Sequence, residues 1–388
     1  MNISILRRVN LFLFVLTALL VGLFIQTQPT AAQTQQFLYR PYYGDWPGYT
    51  AWMDHHNPGT LDNWVHNRKG QESVQVCDTT KATTNEDRYR YCYGGHEGLD
   101  YPLSYLPVVA AAPGVIKYSG WHFPLNRDVG LGLMVEIEHN HNNTLYRTQY
   151  GHLSMIRLMS GVTTQRWQIG TSGNTGYSSG AHLHFDVRVL HNNSWKWTDP
   201  LSYEDTVPPS GADPLDPDSQ YLFVDNPLQT RPARSTEHLV DDGATGYTDA
   251  CLYGTYYWWT VSGYGYSNDH RYTLSNGTTV DCLANFSMSL PSQGEYEVEV
   301  YIPDWNASSR SSAVRYTIYH ADPGTPGNAT VIVDQRRIGG NRWISLGRHK
   351  FNTASSVRVV VSDNSYIGTY SDIGLYLLVD AVRLVRTH

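Results

Sequence analysis

The sequence predicts an all-β protein of two antiparallel domains, the second a β-sandwich, with no long helix in either. Three observations predict it. Short apolar or alternating runs recur with Gly or Asn between them, and almost no window keeps a helical period for long. Aromatic residues reach 13%, with 29 Tyr and 11 Trp, while charged residues make up only 16%, a composition suited to sheets. A proline-rich break divides the chain in two. The 388 residues suffice for two or three domains, and 33 Gly and 19 Pro exclude both collagen and wholesale disorder. A formal charge of −7 leaves no basic field for phosphates, so nucleic acid is excluded as a partner.

The elements follow in order. Arg7 and Arg8 precede an apolar run over 11–25, and Thr30-Ala31-Ala32 supplies small residues for cleavage. That pattern marks residues 1–32 as a secretory signal peptide, and the run is shorter than the roughly 20 residues of a spanning helix. The expectation is an exported chain, secreted or held in the cell envelope, with no membrane attachment after cleavage. The first cysteine is Cys77, too far along to carry a lipid anchor at the mature terminus. Residues 33–95 are polar and irregular and are expected to pack on the domain that follows. Residues 96–203 hold the first set of strands, with runs at 108–111, 115–118, 133–138, 145–150 and 183–189. Residues 204–235, with Val207-Pro208-Pro209 and Asp213-Pro214-Leu215-Asp216-Pro217, read as a semi-rigid linker. Residues 236–388 alternate again, at 295–302, 314–319 and 357–361, as a sandwich with one wet face per sheet does. No heptad pattern is present, so a monomer is expected.

Four cysteines in an exported chain suggest two disulfides. Three connectivities are open. The local one, Cys77 with Cys92 and Cys251 with Cys282, is favoured by its short loops, and buried thiols are the alternative. No C-x-x-C spacing supports a cysteine zinc site.

The chemistry lies between Gly95 and Asp186. His96-Glu97-Gly98-Leu99-Asp100 sets an imidazole and a carboxylate four residues apart, Tyr150-Gly151-His152-Leu153 lies between, and His182-Leu183-His184-Phe185-Asp186 opens a strand. His182 and His184 face the same side of that strand, about 6.5 Å apart, so both rings can share one pocket. Spacing does not decide whether both or one would sit on a metal. Burying a face of two imidazoles and a carboxylate without a metal or a polar network is costly. Other histidines are read as inert: His55-His56 diverge in an extended chain, and His139 and His141 stand beside an Asn-rich turn and are expected at the surface. No phosphate-cradling glycine loop and no G-x-S-x-G elbow occurs.

Over about ninety residues the chain resembles the M23 metallopeptidases of the lysostaphin and LytM type. The motifs are His96-x-Gly-Leu-Asp100-Tyr101, Val109-Ala-Ala-Ala-Pro-Gly114, Gly132-x-x-Val135-x-Ile137-x-His139, Tyr150-Gly-His152-Leu153, Ile169-Gly170-x-x-Gly173-Asn-Thr-Gly176 and Ser179-Gly180-Ala-His182-Leu-His184-Phe185. The resemblance implies an antiparallel β-sheet peptidase domain and a zinc ion held by His96, Asp100 and His184. His152 and His182 would stand as non-ligand catalytic histidines, their roles not distinguished. It further implies hydrolysis of peptide bonds in peptidoglycan cross-links by a zinc-activated water. Asp186 stands where the family usually has Glu, at a position that is not a ligand. The second half resembles the golvesin C-terminal-like domain through Tyr296-Glu-Val298, Arg315-Tyr316-Thr317-Ile318-Tyr319-His320, Trp343-Ile344-Ser345-Leu346-Gly347 and Val379-Asp380-Ala381-Val382-Arg383. Tyr256-Tyr257-Trp258-Trp259, with Tyr264 and Tyr266, could stack on sugar rings or fill the sandwich core. The alternative to an enzyme is a non-catalytic wall- or polysaccharide-binding protein that keeps the fold.

Overall fold

A computed structural model describes residues 36–61, 64–66, 72–74, 94–157, 160–203, 213, 215, 219–224, 231–254, 256–319, 328–351, 357–366 and 372–387. The expected signal segment, the Cys77 and Cys92 pair, His320 and most of the proline-rich stretch lie outside the described residues. Among those described there is no α-helix, and every pairing between named strands is antiparallel.

Strands β1 (Trp64–His66) and β2 (Glu72–Val74) pair with each other. The histidine-bearing region contributes β3 (Leu99–Tyr101), β4 (Pro107–Val109), β5 (Gly114–Trp121), β6 (Leu133–His141), β7 (Thr144–Leu153) and β8 (Met155–Arg157). It continues with β9 (Gly161–Thr163), β10 (Gln168–Thr171), β11 (Leu183–His191) and β12 (Ser194–Trp197). The C-terminal region contributes β13 (Arg234–Val240), β14 (Tyr247–Cys251), β15 (Trp259–Ser262), β16 (Asp269–Leu274), β17 (Cys282–Met288) and β18 (Gly294–Ile302). After a short 3-10 turn come β19 (Val314–Tyr319), β20 (Asn328–Val333), β21 (Arg342–Phe351), β22 (Val357–Ser362), β23 (Tyr376–Val379) and β24 (Val382–Thr387).

The sheet that matters for the site runs β12-β11-β7-β6-β5-β9, with β3 added beside β11. Its two tight hairpins, β6–β7 and β11–β12, close on Asn142-Asn143 and Asn192-Asn193, all four at positive φ. Asn tolerates that left-handed region, so each pair makes the two-residue turn whose twist suits a hairpin. Leu99, Tyr101, Val135, Ile137, Tyr150, Leu183, Phe185 and Val187 pack into one core. Leu38 and Tyr42 from the N-terminal segment join it, as do Leu222 and Phe223 from the stretch expected to be linker.

Two expectations change here. His139 is not at the surface: it is 1% exposed, with Nδ1 donating to Pro113 O at 2.8 Å and Nε2 2.8 Å from Thr148 Oγ1. The turn is where the asparagines put it, but the two-residue period sets His139 on the same face as Val135 and Ile137. The outer face of β18 is also not wet. Glu297 and Glu299 are buried, Glu297 with Arg231 at 2.5 Å and Glu299 with Arg234 and Arg383 at 2.6 Å each, so three arginines from neighbouring chain cover the alternation.

In the C-terminal region, β13-β24-β18-β21 form one sheet, and its core residues Val298, Val300, Ile344 and Leu384 meet Phe286, Tyr316, Ile318, Val359 and Val361. The second five belong to an eight-stranded sheet ordered β14-β17-β22-β19-β20-β8-β10-β4. Strand β8 of the histidine-bearing region thus pairs with β20 of the sandwich, Ile156 opposite Ile332. Cys251 and Cys282 face each other across β14 and β17 and form a disulfide, the local pairing anticipated.

Candidate metal centre

Strand register assembles the site. In the β3–β11 pair Asp100 lies directly opposite His184, so both side chains leave the sheet on one face. His184 is flanked on its other side by Gly151 of β7, which adds no side chain there. His96 reaches in from the turn before β3. His96 Nε2 is 3.1 Å from Asp100 Oδ1 and 3.1 Å from His184 Nδ1, and His184 Nδ1 is 2.9 Å from Asp100 Oδ1. All three residues are buried.

This triangle fits a metal better than it fits itself. His96 Nδ1 donates to the Trp52 carbonyl at 2.7 Å, so the neutral ring turns the lone pair of Nε2 toward a carboxylate oxygen and another imidazole nitrogen. Only a cation or added protons reconcile three such atoms. For zinc, the ion the resemblance implies, bonds of 2.0–2.2 Å in a tetrahedron set ligands about 3.3 Å apart, close to the edges observed.

The N-terminal segment supplies the supports. Thr50 N donates to Asp100 O and Asp100 N to Ala51 O, so residues 50–51 lie against β3 like an added strand. Asp54 accepts from the backbone N–H groups of His56, His66 and Gly95, fixing the turn that leads into His96. Behind His184, Asp186 Oδ2 lies 3.6 Å from Nε2. A carboxylate there orients the ring and raises its basicity, as supporting partners of metal-bound histidines do.

His152 and His182 stand beside the triangle, their ring centroids 4.6 Å apart and that of His152 5.9 Å from His184. A bulge in the β6–β7 pairing and a φ of +58° re-aim His152, a conformation uncommon for a non-glycine residue and often found at working sites. His152 Nδ1 donates to Thr175 O at 2.7 Å, which leaves Nε2 as the acceptor of the neutral ring. The Thr175 carbonyl is held by loops that touch backbone to backbone: a methyl on Gly176, at φ +74°, would meet Gly132 N at 2.3 Å. His182 is partly exposed; its Nδ1 donates to Gly180 O at 2.8 Å, and its Nε2 is 3.6 Å from Asp100 Oδ2.

The electrostatics separate these groups. Burial opposes the charge on Asp100, yet His96, His184 and His182 hold its carboxyl well below the usual range. Burial likewise pulls His184 down, but hydrogen bonds and charges from Asp100 and Asp186 push it up to about 10. His152 goes the other way: burial, then the neighbouring His182 and His184 cations, lower it to about 3. A cation held at the triangle would act on His152 in the same direction. Burial also raises Glu97, which faces His184 and Asp186.

The structure therefore brings His96, Asp100 and His184 to one point and sets His152 and His182 beside it. Reading the sequence missed the Trp52 and Thr175 carbonyls, which carry no residue signal. It also missed Asp186 as a support, although its place two residues after His184 puts it on the same face.

Residues 94–199 match the family model Peptidase family M23, and residues 246–386 match the Golvesin C-terminal domain. The DD-carboxypeptidase/endopeptidase Mpg of Neisseria meningitidis serogroup B is 37% identical over 95 residues, 24% of this chain and 20% of that protein. The glycyl-glycine endopeptidase ALE-1 of Staphylococcus capitis is 37% identical over 115 residues, 28% of this chain and 29% of that protein. The chain spans less than a third of the length of these curated relatives. Among solved structures, the catalytic domain of lysostaphin from Staphylococcus simulans is 33% identical, covering 28% of this chain and 79% of that one, with a TM-score of 0.24.

Proposed function

We propose that the chain is an exported zinc-dependent endopeptidase that hydrolyses peptide bonds in the cross-links of bacterial peptidoglycan. The observation that supports it most is the triangle of His96 Nε2, Asp100 Oδ1 and His184 Nδ1, with His96 Nδ1 committed to the Trp52 carbonyl. These three atoms would hold the ion. When bound, zinc supplies Lewis acidity toward a carbonyl oxygen and acidifies water.

The remaining work falls to the two other histidines. His152, kept neutral by burial and with Nδ1 committed to Thr175, accepts the proton of the attacking water at Nε2. His182 lies nearer solvent, and its Nε2, 3.6 Å from Asp100 Oδ2, hands a proton to the departing amine.

A second element of the proposal concerns the sandwich. Tyr257 and Trp259 are 58% and 38% exposed, and faces of that kind suit the apolar sides of sugar rings. We assign this domain a polysaccharide contact that keeps the enzyme on its substrate.

The test is release of new amino groups from a panel of purified peptidoglycans, with and without a zinc chelator. Chelator-sensitive release is expected. His184→Ala should lose both metal and turnover, while His182→Ala should keep the metal and lose about a hundredfold or more in rate. Full zinc stoichiometry in His184→Ala would overturn the ligand assignment.

A further inference from the structure

The C-terminal domain holds a second convergence of donors. Asp241 and Asp242 open the turn that follows β13, and Asp380 occupies the two-residue step between β23 and β24. Because β13 pairs with β24 up to Val240 opposite Val382, and β16 pairs with β23 from Arg271 opposite Val379, the ends of these strands meet. One carboxylate oxygen from each of Asp241, Asp242 and Asp380 lies within 4.8 Å of the others.

Acidic clusters are common on protein surfaces, but this one is covered and its oxygens are short of donors. Asp242 and Asp380 are 7% and 2% exposed. Asp380 Oδ2 accepts the Tyr266 backbone N–H at 2.9 Å, while its Oδ1 has no hydrogen-bond partner. Neither oxygen of Asp242 has one. Arg271 Nε stands 3.4 Å from Asp242 Oδ2, but that guanidinium is shared with Asp249, 2.9 Å away. Asp241 Oδ1 receives the N–H of the next residue, at 3.2 Å. Asp269, at the start of β16, adds a fourth negative charge that acts on Asp242. A buried carboxylate oxygen with no donor costs the desolvation of a charge, and here two neighbouring acids bear that cost together.

The loop over the cluster is laid down tightly. Gly265 has φ +114°, and a methyl on it would lie 2.0 Å from Asp269 O and 2.8 Å from Asp380 Oδ2. Gly265 is thereby packed between the Asp269 carbonyl and the Asp380 carboxylate.

We propose that Asp241, Asp242 and Asp380 hold a calcium ion that ties the β13 turn to the β23–β24 step. The donors are all oxygens, the set that calcium takes at 2.3–2.6 Å with carbonyls and water completing six to eight ligands. Metals that favour nitrogen or sulfur are directed instead to the histidine cluster. The ion supplies the orphaned oxygens with a partner and cancels charge that one shared arginine leaves in excess. The competing account is a proton shared between Asp380 and Asp241, with no ion.

The experiment uses the full zinc-loaded chain, freed of calcium on a chelating resin. Calcium chloride is titrated by calorimetry, and terbium luminescence is excited through the nearby tyrosines. One saturable calcium ion per chain and a raised Tm are expected. Asp380→Asn should weaken uptake at least tenfold and abolish the Tm gain, while His184→Ala keeps both. No saturable uptake by the unaltered chain up to about 10 mM, above the weakest class of calcium modules, overturns the proposal. So does equal uptake by Asp380→Asn. Should that variant fail to fold, Asp241→Asn, at the partly exposed member, gives the same reading.

Discussion

His55 offers the sharpest test of how the N-terminal segment supports the site. Its ring is fully buried between two carboxylates, Nδ1 2.8 Å from Asp213 Oδ1 and Nε2 3.1 Å from Asp199 Oδ2. Both nitrogens face acceptors, so both must carry protons. Burial pulls the pKa down, but the hydrogen bonds and charges of Asp199 and Asp213 overcome it and push it up to about 9. The folded chain thus holds this proton more tightly than the unfolded chain, whose histidine titrates near 6.5. Stability from His55 is fully present below about pH 6.5 and is lost as pH rises through about 9; the difference corresponds to about 3 kcal/mol. Three to five residues earlier the same segment engages His96 through Trp52 O and Asp100 through Thr50 and Ala51, so loosening the clamp reaches the candidate metal centre. Urea denaturation of the unaltered chain and of His55→Gln, at about pH 6 and about pH 10, isolates the effect. Comparing the two chains cancels other groups that titrate in this window. The unaltered chain should lose about 3 kcal/mol more than the variant over that rise. Parallel losses, or a variant as stable as the parent at the lower pH, would refute the reasoning.

Alanine at both Tyr257 and Trp259 should reduce retention on insoluble glycan about five- to 150-fold, at about 0.5–1.5 kcal/mol for each of the two aromatic contacts; undiminished retention would sink the sugar contact. Arg127→Met should destabilise the protein by about 3–5 kcal/mol in denaturation, since it leaves Asp372 buried without the guanidinium that lies 3.0 Å from both its oxygens. A loss below about 1 kcal/mol would place that pair among the energetically idle ones.

Much of the fold was legible because half-buried strands impose a period of two on residue type. The alternation of 183–189 gave the strand on which His182 and His184 share a face, and the glycines around it gave the turns. What stayed hidden has physical reasons. The donors and acceptors that orient His96 and His152 are the carbonyls of Trp52 and Thr175, and any residue offers a carbonyl. The glutamates of β18 look solvated in isolation, because nothing local announces that Arg231, Arg234 and Arg383 come to cover them. His55 was read as an inert histidine since its two carboxylates lie about 150 residues away. Strand β8 has three residues, too few to specify by pattern that its partner is in the other half of the chain.

That last pairing changes what the C-terminal domain can do. A binding module on a flexible tether raises local concentration and leaves the catalytic geometry alone. Here the two halves share a sheet, and their cores interlock: Met155 packs in the sandwich core while Ile332 and Ala313 pack in the other. Polar bonds run alongside, from Thr171 Oγ1 to Ser345 O at 2.8 Å and from Tyr105 to Arg337 O at 2.8 Å. The pair of Arg127 with Asp372 and that of Asp128 with Arg336 pin the loop between β5 and β6 onto the sandwich. The end of the same loop carries Leu131, whose carbonyl accepts the backbone N–H of His152 at 2.7 Å. The contact path from the sandwich to a proposed catalytic histidine is therefore short, anchored at one end by the buried Arg127–Asp372 pair and at the other by buried Leu131. Under the proposed function, a sandwich that binds wall glycan would hold the His96, Asp100 and His184 triangle at a fixed offset from that ligand, and the bond reached would be set by the spacing between sugar and peptide.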